Sequence, residues 1–152
     1  MNDHHLDPKQ LPRLYRVQYD ESMTSYDSQN GLAAQDTDGW YTLRVDFEVA
    51  VEQHLNWAAN YRSIFISLFS NRTYAENWLL DRHSRVACMN CKLLEIDATQ
   101  LGSDVYKAQE LVDELSLSVP NKAEASISKE YLVAHQIPPC AIKKCCTLDE
   151  IE

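Results

Sequence analysis

Two sets of residues in this 152-residue chain have types and spacings that could do chemistry. The first set is three polar side chains inside strand-like runs. Arg16 lies within Leu14-Tyr15-Arg16-Val17-Gln18-Tyr19, Ser67 within Ser63-Ile64-Phe65-Ile66-Ser67-Leu68-Phe69-Ser70, and Glu130 directly before Tyr131-Leu132-Val133. Taken singly, each has an ordinary reading: a strand arginine in a surface ion pair, a small residue tolerated in a buried strand, a solvated strand carboxylate. The second set is thiols and imidazoles. Cys88-Met-Asn-Cys91 has the spacing of half a zinc knuckle, and Cys145-Cys146 are the cysteines that could complete it. Adjacent cysteines chelate one ion awkwardly and there is no second Cys-x-x-Cys, so no metal is expected. As a redox motif the pair lacks a helix start after a strand. With Cys140 the count of cysteines is five, and an odd count without a secretion signal argues for free thiols. His54 and His135 read as structural because nothing pairs them with a nucleophile, and His4 and His5 read as tail residues.

The elements that must position these groups follow from periodicity. Residues 14–19 are rich in aromatic and β-branched types and read as a strand, with Arg16 sharing a face with Leu14 and Gln18 while Tyr15, Val17 and Tyr19 face the other way. Residues 20–42 hold turn formers, including Asn30-Gly31, and read mostly as loop. Phe47, Val51, Leu55, Ala58 and Ala59 recur at the spacing of one helix face, with Asp46 as N-cap. The apolar run 63–70 suits a strand covered on both faces. Asn71 could cap a helix carrying Ala75, Trp78, Leu79 and Arg82. Residues 92–97 read as a strand, Ser103 as the cap of a helix carrying Val105, Ala108, Leu111, Val112 and Leu115, and residues 126–133 as another strand. Ile137-Pro138-Pro139 breaks that strand, and Ala141-Ile142-Lys143 resumes an extended piece. Trp40, Trp57 and Trp78 read as packing residues. Strands and helices do not alternate strictly, which favours α+β over a doubly wound parallel sheet.

Composition narrows the partners. Fourteen Lys and Arg stand against 23 Asp and Glu, a net charge of −9. That balance repels phosphate backbones and anionic lipid, so neither nucleic acid nor membrane is expected as a partner. No run approaches the roughly 20 apolar residues of a membrane span. The N-terminus lacks the apolar core of a signal peptide, so a cytoplasmic location is expected unless a larger parent chain supplies an address. The length suits one domain over 13–146, with a flexible tail at 1–12 and an acidic tail at 147–152.

Three segments in order then carry a resemblance: Arg13-Leu14-Tyr15-Arg16-Val17 with Asn30-Gly31-Leu32 after it; Phe65-Ile66-Ser67-Leu68-Phe69-Ser70; and Glu130-Tyr131-Leu132-Val133-Ala134-His135-Gln136-Ile137-Pro138-Pro139-Cys140-Ala141-Ile142. Together they resemble the Arg–Ser–Glu class of ADP-ribosyltransferases, the enterotoxin-like group that includes the catalytic A chains of cholera toxin and heat-labile enterotoxin. The resemblance spans residues 13–142. It implies an α+β split β-sheet fold with flanking helices and NAD as co-substrate in a cleft between two small sheets. In that likeness Arg16 contacts the NAD phosphates, using a permanently charged fork of donors. The backbone at Val17 meets the nicotinamide amide, Ser67 steadies the catalytic carboxylate, and Glu130 grips the nicotinamide ribose as charge develops on the sugar. Phe69 could pack against nicotinamide, and Ser70 is a displaced third member of the family's Ser-Thr-Ser.

The chain departs from the family at Ser128. Arginine-modifying members carry Glu or Gln two residues before the catalytic Glu, and Ser128 stands there. Glu124 could substitute only if its loop folds back. The expected activity is therefore mono-ADP-ribosyl transfer, or NAD hydrolysis, with a protein acceptor other than arginine or with water. The alternative is an ADP-ribosyltransferase-like domain that binds without catalysis.

Overall fold

The computed structural model describes residues 11, 13–18, 24–37, 39, 43–55, 63–86, 91–101, 105–117, 119 and 126–147. Their strands are β1 (Leu14–Gln18), β2 (Ser25–Asp27), β3 (Gly31–Ala33), β4 (Phe65–Phe69), β5 (Lys92–Ile96), β6 (Val105–Lys107), β7 (Glu130–Ala134), β8 (Gln136–Ile137) and β9 (Ile142–Thr147). Their α-helices are α1 (Arg44–Leu55), α2 (Arg72–Val86) and α3 (Ala108–Leu115). The class is α+β, as expected, with every strand pair antiparallel. Six strands form one sheet in the order β6-β7-β4-β1-β5-β9, and β2-β3-β8 form a second.

Alternation along the strands divides the core into two faces. Ile66 and Leu68 of β4 join Leu14, Leu94, Ile96 and Val133 beneath the small sheet, which contributes Leu32 and Ile137. Phe65 and Phe69 point the other way, toward the helices. Phe65 packs with Phe47 and Val51 of α1 and Leu111 of α3. Phe69 packs with Ala75 and Leu79 of α2, together with Val17 and Leu93. Ser67 therefore occupies the helix-covered face between two apolar clusters and belongs to neither.

The large sheet is nearly two half-sheets. β4 pairs with β7 along five positions but with β1 at Tyr15↔Phe69 alone. The small sheet is tied in at two places where special backbone is required. Gly31 has φ +84, and a Cβ there would clash with the Ile137 carbonyl of β8. His135, at φ 68, turns the chain from β7 of the large sheet into β8 of the small one. Its N–H donates to the Ile64 carbonyl at 2.6 Å, its own carbonyl accepts from Ala34 N–H at 2.8 Å, and its Nε2 meets the Gly39 carbonyl.

Several expected elements differ. Residues 24–33 form the two strands of a hairpin, because Asn30-Gly31 reverses the chain and Gly31 supplies the positive φ. Asp46 lies inside the first turn of α1, which begins at Arg44. Val105 belongs to a strand that pairs with Val133, so the helix starts at Ala108. Ser126 to Lys129 form a helical turn, closed by the Lys129 N–H on the Ser126 carbonyl at 2.9 Å, and the strand begins at Glu130. Asn71 does cap α2, accepting the Tyr74 N–H at 2.8 Å. Cys140, Cys145 and Cys146 are free thiols, whereas Cys91 is disulfide-bonded, which corrects the expectation of free thiols at that position. His4, His5, Trp40, Trp57, Cys88, Ser103 and Glu124 lie outside the described residues. Among the described residues, no helix is long and apolar enough to cross a membrane.

Candidate functional site

The split between β1 and β4 sets the position of the polar residues. Ser70 N–H donates to the Lys129 carbonyl, and His135 N–H donates to the Ile64 carbonyl. With the β4–β7 register, these bonds make the even-numbered residues of β4 the hydrogen-bonded pairs. The N–H and carbonyl of Ser67 then point toward β1. β1 pairs with β4 only at Phe69, so at Ser67 there is no ladder partner. A carbonyl shielded from water needs a donor, and Arg16 supplies one to this part-buried oxygen, Nη1 donating to Ser67 O at 3.0 Å. Arg16 Nε donates to Gln18 Oε1 at 3.1 Å, and Gln18 in turn donates to the Thr24 carbonyl. Gln18 is one of the few buried polar side chains, so the guanidinium is held from two sides.

Glu130 opens β7 opposite Phe69, on the face that also carries Ser67. Its side chain is 1% exposed. Ser67 Oγ donates to Glu130 Oε2 at 2.7 Å. Oε1 is buried and has no hydrogen-bond partner among the described residues. Burial pushes the carboxyl up to about 7; hydrogen bonds from Ser67 and Ser126 and the Arg16 charge pull against that rise. Native proteins rarely leave a buried acceptor empty, and the exceptions call for an explanation such as a ligand group.

His54, near the end of α1, completes the cluster. Nε2 lies 2.7 Å from Ser67 Oγ, and Nδ1 lies 2.7 Å from Ser63 Oγ. The ring meets Phe65 edge-on. Burial, with the Arg16 charge added, lowers its pKa to about 3, so the ring is neutral near pH 7. Sequence reasoning assigned His54 a structural role. The available signal was its place seven residues after Phe47 and three after Val51, on the apolar stripe of the helix. An imidazole on such a stripe must find polar partners, and here they are two serines.

The structure brings Arg16, Ser67 and Glu130 into one cluster and leaves the other named residues apart from it. Val17 is buried in the α2-facing core and pairs with Leu93. Phe69 is buried and stacks edge-on against Tyr74, as a core side chain does. Ser70 follows β4 and gives its N–H to Lys129. Ser128 is exposed in the turn before β7, so the expected strand relation placing it on the face of Glu130 does not exist. Among the described residues, no group of His, Cys, Asp and Glu could hold a metal ion.

The class defined by these observations is an α+β domain with a buried carboxylate at a split in its main sheet. The chain belongs to the family described as "Domain of unknown function (DUF7587)", whose model matches residues 9–151. No curated protein matches it.

Proposed function

We propose that the protein cleaves the bond between ribose and nicotinamide in NAD, as an ADP-ribosyltransferase or an NAD glycohydrolase. The observation that carries this reading is the buried carboxylate of Glu130, linked through Ser67 to the Arg16 guanidinium, with one oxygen lacking a partner among the described residues. The near-division of the main sheet between β1 and β4 fits the split-sheet fold that the resemblance implies.

The chemistry matches the electrostatics. Departure of nicotinamide leaves an oxocarbenium-like ribose, and a fixed carboxylate in a water-poor site stabilises that charge. NAD itself carries a positive nicotinamide ring. A cation beside Glu130 favours the ionised carboxylate, so the proton held near pH 7 leaves as substrate binds. Arg16 supplies charge for the NAD phosphates and stays protonated while Glu130 titrates. Ser67 keeps one carboxylate oxygen occupied and leaves the other, buried oxygen for the developing positive charge. The acceptor is water or a protein nucleophile other than arginine, since the exposed turn at Ser128 offers no carboxylate to deprotonate a guanidinium.

The test is release of nicotinamide from NAD by the wild type, beside Glu130→Gln and Arg16→Ala. Release that depends on both side chains supports the reading. If NAD neither loses nicotinamide nor raises the thermal midpoint of the wild type, the reading fails and a non-catalytic domain replaces it.

A further inference from the structure

The hydrogen bonds around His54 fix which atom holds each proton. The Phe65 N–H can only donate, and it donates to Ser63 Oγ at 3.0 Å. When Glu130 is ionised, the Ser67 hydroxyl gives its proton to Oε2. Ser67 Oγ must then accept from His54, so the imidazole proton is on Nε2, and Nδ1 accepts the hydroxyl proton of Ser63. When Glu130 is protonated on Oε2, the three bonds between Glu130 and Ser63 reverse. Glu130 donates to Ser67, Ser67 donates to Nε2, and the ring proton is on Nδ1, bonded to Ser63. The two arrangements differ by one proton and by the tautomer of His54.

We propose that Ser63, His54 and Ser67 form a proton wire for Glu130, in which His54 changes tautomer and remains neutral each time the carboxyl gains or loses its proton. In the outward direction the Glu130 proton passes to Ser67 Oγ, and the Ser67 proton passes to His54 Nε2. The Nδ1 proton passes to Ser63 Oγ, and Ser63 releases its own proton to water. Each O–H or N–H bond broken is matched by one formed, and the released charge leaves as hydronium. Glu130 is 1% exposed, whereas Ser67, His54 and Ser63 are all partly buried, so the hydrogen-bonded chain leads from the buried carboxyl toward solvent.

Other groups facing the carboxylate do not serve as a relay. Arg16 of β1 stays charged, and Ser126, fully buried ahead of β7, donates to the carboxylate. From α2, Tyr74 packs on Phe69, with the Lys129 Nζ over its ring. Ser63 and His54 are thus positioning residues that act on Glu130 through Ser67. The purpose of the wire rests on the NAD reading, but the wire is tested without NAD.

The experiment is a pH titration of protein labelled with ¹⁵N-histidine and ¹³C-glutamate, following the two-bond imidazole correlations of His54 and the Glu130 carboxyl resonance. The expected result is a neutral ring throughout, Nε2–H above the Glu130 midpoint and Nδ1–H below it. One unchanging tautomer across the Glu130 titration, or an imidazolium signal, overturns the proposal. Ser67→Ala, with the remaining spectrum intact, must abolish the switch while Glu130 still titrates; a switch that survives also overturns it. The wild-type titration decides the matter even if the variant fails to fold. Loss of NAD cleavage with the switch intact would separate a failure of the functional reading from a failure of the wire.

Discussion

Arg13 and Arg16 are three residues apart and each has a glutamate nearby. Arg13, just before β1, puts Nε 3.5 Å from Glu95 Oε1, with side chains 43% and 26% exposed. Water solvates both groups, and such pairs are worth about 0–1 kcal/mol. Arg16 is held by Gln18 and the Ser67 carbonyl, and its charge acts on a carboxyl that is 1% exposed. There, Glu130 binds its proton up to about pH 7. The same two residue types form a solvated pair at one site and, at the other, a held guanidinium beside a buried carboxyl with a raised pKa. The difference comes from sheet pairing, which leaves Ser67 without a β1 partner and opens a polar gap between two apolar clusters.

The comparison is broken most sharply at Glu130. Glu130→Gln should lower nicotinamide release by roughly 10²–10³-fold, the usual range for removing one preorganised electrostatic stabiliser. A loss below tenfold would move the catalytic role elsewhere. The same substitution should have the opposite effect on stability. The carboxyl pKa is raised on folding from 4.5 to about 7. The folded state keeps a proton that the unfolded chain has lost, so stability falls as pH rises between those values and levels off above them. Glu130→Gln removes that slope, and should gain about 2–3 kcal/mol more at pH 8 than at pH 5 in denaturant titrations. An equal gain at both pH values would mean that the carboxyl is not buried with a raised pKa.

His54 has the opposite sign. Its pKa falls from 6.5 to about 3, so the unfolded chain takes up the proton first and stability is lost as pH falls below 6.5. Between pH 4.5 and 6.5 the two slopes oppose each other. Glu130→Gln should therefore expose a stability that drops steadily on acidification, which urea melts across that window would show.

The corner residues give a smaller effect. His135 holds φ 68 where the chain changes sheets. His135→Val should cost about 1–3 kcal/mol and His135→Gly clearly less, because a β-branched residue resists that conformation. Equal costs would mean that the ring's bond to Gly39, and not the backbone, dominates. The smallest effect is expected at the surface pair, where Arg13→Ala should change stability by less than about 1 kcal/mol.

Much of the site's scaffold was legible because it rests on long, apolar elements. β1, β4 and the Asn71 cap follow from residue type and period. Two strands of the small sheet fall in residues 20–42, which read mostly as loop, and the third falls at the Ile137-Pro138 break; with three residues or fewer, none is long enough for alternation to be read. Val105 reads as helical because Val105, Ala108, Leu111, Val112 and Leu115 keep helical spacing, while pairing with Val133 makes it a strand residue. Ser128 differs for a similar reason: the run through Leu132 reads as one strand, but its first part closes a helical turn. Arg16, Ser67 and Glu130 could be named from the ordered motifs. What brings them together, the broken ladder between β1 and β4, is a pairing fact that no local pattern contains. His54 needed two partners from another segment before its role became visible.

The most direct test of the central claim is the pH dependence of kcat/KM for nicotinamide release, which reports the ionisation of the free protein. A buried carboxylate that must be ionised to act predicts a value rising about tenfold per pH unit below a midpoint near 7 and constant above it. A profile flat from pH 5 to 8, or one that falls as pH rises, would contradict the assignment of Glu130.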